Sequence, residues 1–93
     1  MDSQEARTIV AKELRRYRAM SYQKLQRLLT EQDCLEVRGA SGASYQIEVE
    51  VVWDDKAGGN LRVRMHIVDR GLRAFAPHTD DFIVAPNASF VGE

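Results

Sequence analysis

Tyr45-Gln46-Ile47-Glu48-Val49-Glu50-Val51-Val52-Trp53 and Leu61-Arg62-Val63-Arg64-Met65-His66-Ile67-Val68-Asp69 are the two runs that decide the fold. In the first, Tyr45, Ile47, Val49, Val51 and Trp53 fall on odd positions. In the second, Leu61, Val63, Met65 and Ile67 do the same. Successive strand side chains point to opposite faces, so each run reads as a strand with one apolar face. The β-branched and aromatic residues suit a pleated surface. Between them, Asp54-Asp55-Lys56-Ala57-Gly58-Gly59-Asn60 is a cluster of turn formers.

Charge selects the register. Both apolar sets are odd-numbered, so paired residue numbers must sum to an even value. Folding about Ala57 sets Glu50 opposite Arg64 and Glu48 opposite His66. It also sets Trp53 opposite Leu61, Val51 opposite Val63 and Val49 opposite Met65. Each opposite-charge pair contributes about 0.2–1 kcal/mol, and a two-residue slip loses these partners. The polar face of this hairpin reads first as a solvated outer surface. Val52 and Val68 interrupt it, which leaves a binding surface or a homodimer contact as the sharper reading.

A two-stranded hairpin cannot bury its own apolar face. The stripes long enough to cover it lie at the N-terminus. Ala6, Val10, Leu14 and Tyr17, with Ile9, recur at helical spacing, and Asp2 or Ser3 can cap that helix, with Glu5 at capping-box distance from Asp2. Around Met20-Ser21-Tyr22 the pattern breaks. Ser21 caps a second helix from Tyr22 to about Glu31, with Tyr22, Leu25, Leu28 and Leu29 as its stripe; one bent helix is the alternative.

Further strands are expected at Cys34–Arg38, Leu72–Pro77 and Phe82–Ala85, with Cys34 itself buried or half-buried. Gly39-Ala40-Ser41-Gly42-Ala43-Ser44 reads as a flexible hairpin loop. It is not a phosphate cradle, because no helix N-terminus follows it. His78-Thr79-Asp80-Asp81 reads as a loop, and Phe90 is expected to pack back onto the domain. The order predicts one α+β domain over residues 1–93, with one or two N-terminal helices on one face of a four-stranded (three to five) antiparallel meander sheet.

The chain has 93 residues, a formal net charge of −1 and one cysteine. That length suits one core. No run of about 18 apolar residues marks a membrane span, and the polar start carries no secretory signal. The lone Cys34 cannot form an internal disulfide, which places the chain in the reducing cytoplasm. Residues 1–31 hold seven Lys/Arg against four Asp/Glu, and residues 32–93 hold six against ten. Attraction between the two halves explains this better than an acidic partner.

Three function classes follow. A strong scaffold without a catalytic set favours a non-enzymatic binding or assembly module, self-associating as a homodimer through a sheet edge or face. Arg7, Arg15, Arg16 and Arg18 form a basic helix face that could meet nucleic acid phosphates, although Tyr17 belongs to the apolar stripe. His78, Asp80 and Asp81 are the candidates for acid–base or metal chemistry in a hydrolytic or ligand-binding domain. Their spacing fits no metal signature, and no cofactor is implied. His66 beside Glu48 lacks a nucleophile to complete a triad, and reads as a cross-strand ion pair.

Overall fold

The structure, a computed structural model, describes residues 3–69 and 78–92. Helix α1 (Ser3–Arg18) leads into α2 (Tyr22–Gln26) and a 3₁₀ turn (Arg27–Leu29). Four strands follow: β1 (Asp33–Arg38), β2 (Ser44–Trp53), β3 (Leu61–Asp69) and β4 (His78–Val84). They form an antiparallel sheet in the order β1-β2-β3-β4, so every strand lies beside its neighbour in sequence. This is the expected α+β meander, with two helices rather than one bent helix. The break falls at Ser21, whose hydroxyl accepts the Lys24 N–H at 3.1 Å and caps α2.

The central register is the one the charges select. Glu50 pairs with Arg64, Glu48 with His66, Val51 with Val63 and Trp53 with Leu61. The loop between these strands is fixed by its own polar groups. The Asp55 carboxylate accepts the N–H groups of Lys56 at 2.7 Å and Asn60 at 3.2 Å. These bonds, the Lys56 one foremost, hold the Asp55 pKa below the usual aspartate value. Gly58 supplies the left-handed conformation the turn requires, at φ 84°.

The helical layer covers one face. Ala6, Val10, Leu14 and Tyr17 of α1 and Tyr22 and Leu25 of α2 are buried against Tyr45, Ile47, Val49, Val51, Leu61, Val63, Met65 and Ile67. Phe82 and Val84 of β4 complete this core, and Ile9, Leu28, Leu29, Leu35, Val37 and Trp53 pack half-buried around it. Burying each large apolar side chain contributes about 1.5–3 kcal/mol, which is why the amphipathic α1 docks there.

Two polar ties fix the angle of α1. Tyr17 is 1% exposed, and its hydroxyl donates to Asp33 at the start of β1 at 2.7 Å. At the other end the Glu5 carboxylate accepts from the Tyr45 hydroxyl at 2.6 Å, the Ser41 hydroxyl at 2.7 Å and the Ser41 N–H at 3.0 Å. A Tyr buried by its ring needs such a partner for its hydroxyl. The N-terminal cap expected at Asp2 lies outside the described residues.

Four expectations change. The Gly39–Ser44 loop is not slack: Gly42 N–H bonds Gly39 C=O at 3.0 Å, Gly39 N–H bonds Ala43 C=O at 2.8 Å, and Gly42 sits at φ 90°. This is a tight three-residue turn ending in a left-handed glycine. His78-Thr79-Asp80-Asp81 is the first half of β4, not a loop. Its polar residues are tolerated because β4 lies at the end of the sheet. Cys34 is exposed rather than buried, because its even position on β1 points away from the helices. His66 lies opposite Glu48, but its Nε2 is 4.0 Å from Glu50 and its Nδ1 is 3.1 Å from Thr79 Oγ1. The edge strand expected over Leu72–Pro77 lies outside the described residues.

The tail packs as expected. Phe90 bridges Val84 and meets the Phe82 ring edge-to-face at 5.7 Å. The Arg18 guanidinium lies over Phe90 at 4.3 Å and over Phe82 at 5.7 Å, joining the end of α1 to the end of the sheet.

Candidate functional site

The helices occupy one face of the sheet, and strand alternation gives the composition of the other. Among the rows that the pairing sets across it are Cys34-Glu48-His66-Thr79, Glu50-Arg64-Asp81 and Val52-Arg62-Ile83. Arg62 is the best-held charge. It donates to Asp81 Oδ2 at 2.7 Å and to Asp54 Oδ1 at 2.9 and 3.0 Å. Arg64 reaches Glu50 at 3.4 Å. The side-chain amide of Gln46 donates to Cys34 Sγ at 3.1 Å. Val52 and Ile83 stand half-buried between the charged rows. Both signs of charge alternate here, so the face has no single-signed field to attract a polyanion.

The edges of the sheet differ. Beyond the second half of β4 the chain returns on itself: Ala85 N–H bonds Ser89 C=O at 2.8 Å and Val91 N–H bonds Ile83 C=O at 2.9 Å. Strand β1 ends the sheet on the other side with no neighbour among the described residues.

Asp80 and Asp81, two of the candidate catalytic residues, do not converge. Asp80 and Asp81 are adjacent on β4 and so point to opposite faces. Asp81 is engaged by Arg62, and Asp80 Oδ1 accepts the Asp81 N–H at 2.8 Å. The His78 side chain lies outside the described residues. Among the described residues, no three His, Cys, Asp or Glu side chains are placed to hold a metal ion.

The four arginines of α1 separate. Arg16 pairs with Glu13 at 2.9 Å and lies over the Tyr17 ring at 5.1 Å. Arg18 covers Phe90. Arg7 and Arg15 are exposed, with no ion pair among the described residues. Two free arginines make a smaller basic patch than the sequence count suggests.

A shallow groove of about 400 Å³ runs between α1 and the β1–β2 turn, lined by Gln4, Glu5, Thr8, Ile9 and Ala40. Its one carboxylate is Glu5, held by Tyr45 and Ser41. The hydrogen bond from Tyr45, then those from the Ser41 hydroxyl and N–H, lower the Glu5 pKa below the usual glutamate value. A carboxylate so engaged is a structural acceptor, not a poised base. Sequence reasoning missed this tie because Glu5 and Tyr45 are 40 residues apart. The available signal was a tyrosine on an otherwise apolar strand face, which requires an acceptor.

No protein-family model, curated protein or solved structure matches the chain. No described helix is long and apolar enough to cross a membrane.

Proposed function

We propose that this chain is a small non-enzymatic binding or assembly module that works in the cytoplasm through the open part of its sheet. One observation carries the reading. The helices serve one sheet face, while the other presents half-buried Val52 and Ile83 among charges already organised into pairs. Ordered charges with apolar gaps are suited to a protein surface, since they offer complementarity without a large desolvation penalty at each group. The exposed thiol of Cys34 fits a reducing compartment. A second copy of the chain is the simplest partner, because closed symmetric pairs are the commonest soluble assemblies.

The test is sedimentation velocity over a wide concentration range, with Val52→Glu and Ile83→Arg as face variants. Association that rises with concentration supports the reading. A strict monomer throughout, with no partner bound, overturns it. The nucleic acid alternative rests on Arg7 and Arg15. It predicts DNA or RNA binding that weakens steeply with salt and is lost in Arg7→Ala/Arg15→Ala.

A further inference from the structure

We propose that two copies of the chain pack sheet face to sheet face about a two-fold axis that runs along the strands between β2 and β3, so that Glu50 of each copy faces Arg64 of the other. The inference rests on the assembly reading above and supplies its geometry.

Charge on the outer face is sorted by strand. Away from the helices, β2 presents Gln46, Glu48, Glu50 and Val52, whereas β3 presents Arg62, Arg64 and His66. An acidic strand thus lies beside a basic one. The pairing places Glu48 level with His66, Glu50 level with Arg64 and Val52 level with Arg62. The central pair is only partly used within the chain. Arg64 reaches Glu50 through Nη1 at 3.4 Å, and the two side chains keep 44% and 38% of their surface exposed. A guanidinium has several N–H donors and a carboxylate several lone pairs, so each can take a second partner. Arg62 differs, because Asp54 and Asp81 already hold it.

Such a face is complementary to a second copy of itself. A two-fold axis along the strands, midway between β2 and β3, lays β2 of each copy over β3 of the other. Glu50 then meets Arg64 twice, and the four groups form one cluster of alternating sign. Val52 lies over the aliphatic stem of the other copy's Arg62, whose charge stays on Asp54 and Asp81. Other axes lose this match. An axis across the strands lays β2 on β2 and β3 on β3, which brings like charges together, and so does an axis over either strand. An axis between β3 and β4 sets Arg64 against Asp81 but leaves β1 and β2 uncovered. An axis between β1 and β2 sets Cys34 against Glu48 and Arg38 against Ser44, with no opposite charges. Sheets packed face to face lie about 10 Å apart with strands crossing at about 30°. Glutamate and arginine side chains span that gap together, and the match is closest at the crossing, in the Glu50–Arg64 row. Four strands about 4.8 Å apart, over the seven residues of β4 at about 3.4 Å each, give a face on the order of 450 Å² per copy. The two faces together stay below the roughly 1,200 Å² of standard stable interfaces, so association is weak and needs concentrated protein.

Sedimentation velocity and native mass spectrometry on the full chain are the test, with folding checked by circular dichroism and Trp53 fluorescence. E50R alone and R64E alone each set like charges across the axis, and each should weaken dimerisation about ten-fold. Mixed in equal amounts, the two variants complement each other across the axis while the mismatch within each chain remains. They should pair with each other about as tightly as wild type with itself, and the mixed pair differs in mass from either self-pair. E50Q and R64Q, which add no repulsion, should stay folded and weaken association about three-fold each. No gain on mixing overturns this geometry. A wild-type dimer indifferent to all four variants overturns it as well, and leaves the assembly reading standing where Val52→Glu dissociates that dimer. A strict wild-type monomer overturns both. An unlike chain held on this face, with no self-pairing, overturns the second-copy assignment.

Discussion

Removing one oxygen from Tyr17 tests how the helix is tied to the sheet. The ring is buried against the core, and the hydroxyl donates to Asp33 at 2.7 Å where β1 begins. Tyr17→Phe keeps the ring and deletes the bond. A hydrogen bond to a charged acceptor is worth about 1.5–3 kcal/mol, and a neutral one about 0.5–1.5. Asp33 is only half-buried, so water replaces part of the loss. About 1 kcal/mol is expected at neutral pH, a fall in Tm of about 4–8 °C for a domain of this size. The pH dependence is more diagnostic. Burial, then the hydrogen bond and negative charge of Asp33, raise the Tyr17 pKa above its ordinary value of about 10. Below pH 10 both folded and unfolded chains keep the proton, and the contribution is constant. Above it the unfolded chain loses the proton first, so stability falls as pH rises. The limit for one proton is about 1.4 kcal/mol per pH unit, and solvent at the Asp33 margin keeps the true slope below it. Urea unfolding followed by Trp53 fluorescence from pH 7 to 11 measures both. The gap between wild type and Tyr17→Phe should narrow or reverse above pH 10. Equal stability at pH 7, with parallel curves above pH 10, would refute the tie.

Four other outcomes follow from the geometry. Ala88 holds a left-handed φ of 72° in a turn whose hydrogen bonds match those around Gly42, so Ala88→Gly should raise stability by about 0.5 kcal/mol in urea unfolding, strain relief exceeding the entropy cost. A Cβ at Gly39 would collide with the Glu5 carboxylate, so Gly39→Ala should lower Tm and Glu5→Ala, which removes the colliding atoms, should remove part of that penalty. Because the Glu5 pKa is lowered on folding, its stabilisation is present above the ordinary glutamate pKa and lost as pH falls through the folded one; Glu5→Gln should flatten the acid limb of a Tm-against-pH profile. Ile47→Ala, at a fully buried site, should cost about 2–5 kcal/mol, read by urea unfolding, whereas Arg62→Ala on the exposed face should cost under about 1.

The hairpin was legible because alternation with period two has one structural meaning, and Glu50 and Arg64 chose among the registers that alternation allows. The helical layer was legible through Ala6, Val10, Leu14 and Tyr17, which lie on one side only at helical spacing. The start of β4 was not. Thr79 and Asp81 are turn formers by local preference, and become strand residues because β3 offers them a ladder and their side chains face outward. Cys34 was misplaced because cysteine is usually buried, whereas its position parity with Glu36 and Arg38 put it outside. The candidate site was legible only in part. Sequence counted four arginines on α1, but it could not show that Arg18 would lie over Phe90, a residue 72 positions away. Pairings at that separation leave no local pattern.

The contact between Arg18 and the Phe82–Phe90 pair also sets the order of events during synthesis. On the ribosome the amphipathic arm emerges before the sheet, yet the aromatic surface that covers its far end is made only after the four strands. Each strand can zip to its predecessor as it appears, since a meander needs only short loop closures. The arm, by contrast, waits with Val10, Leu14 and Tyr17 in water until that zipping has built a surface wide enough to receive it. The apolar stripe of α1 is therefore the part of the nascent polypeptide that stays uncovered longest, which is where a chaperone would find it.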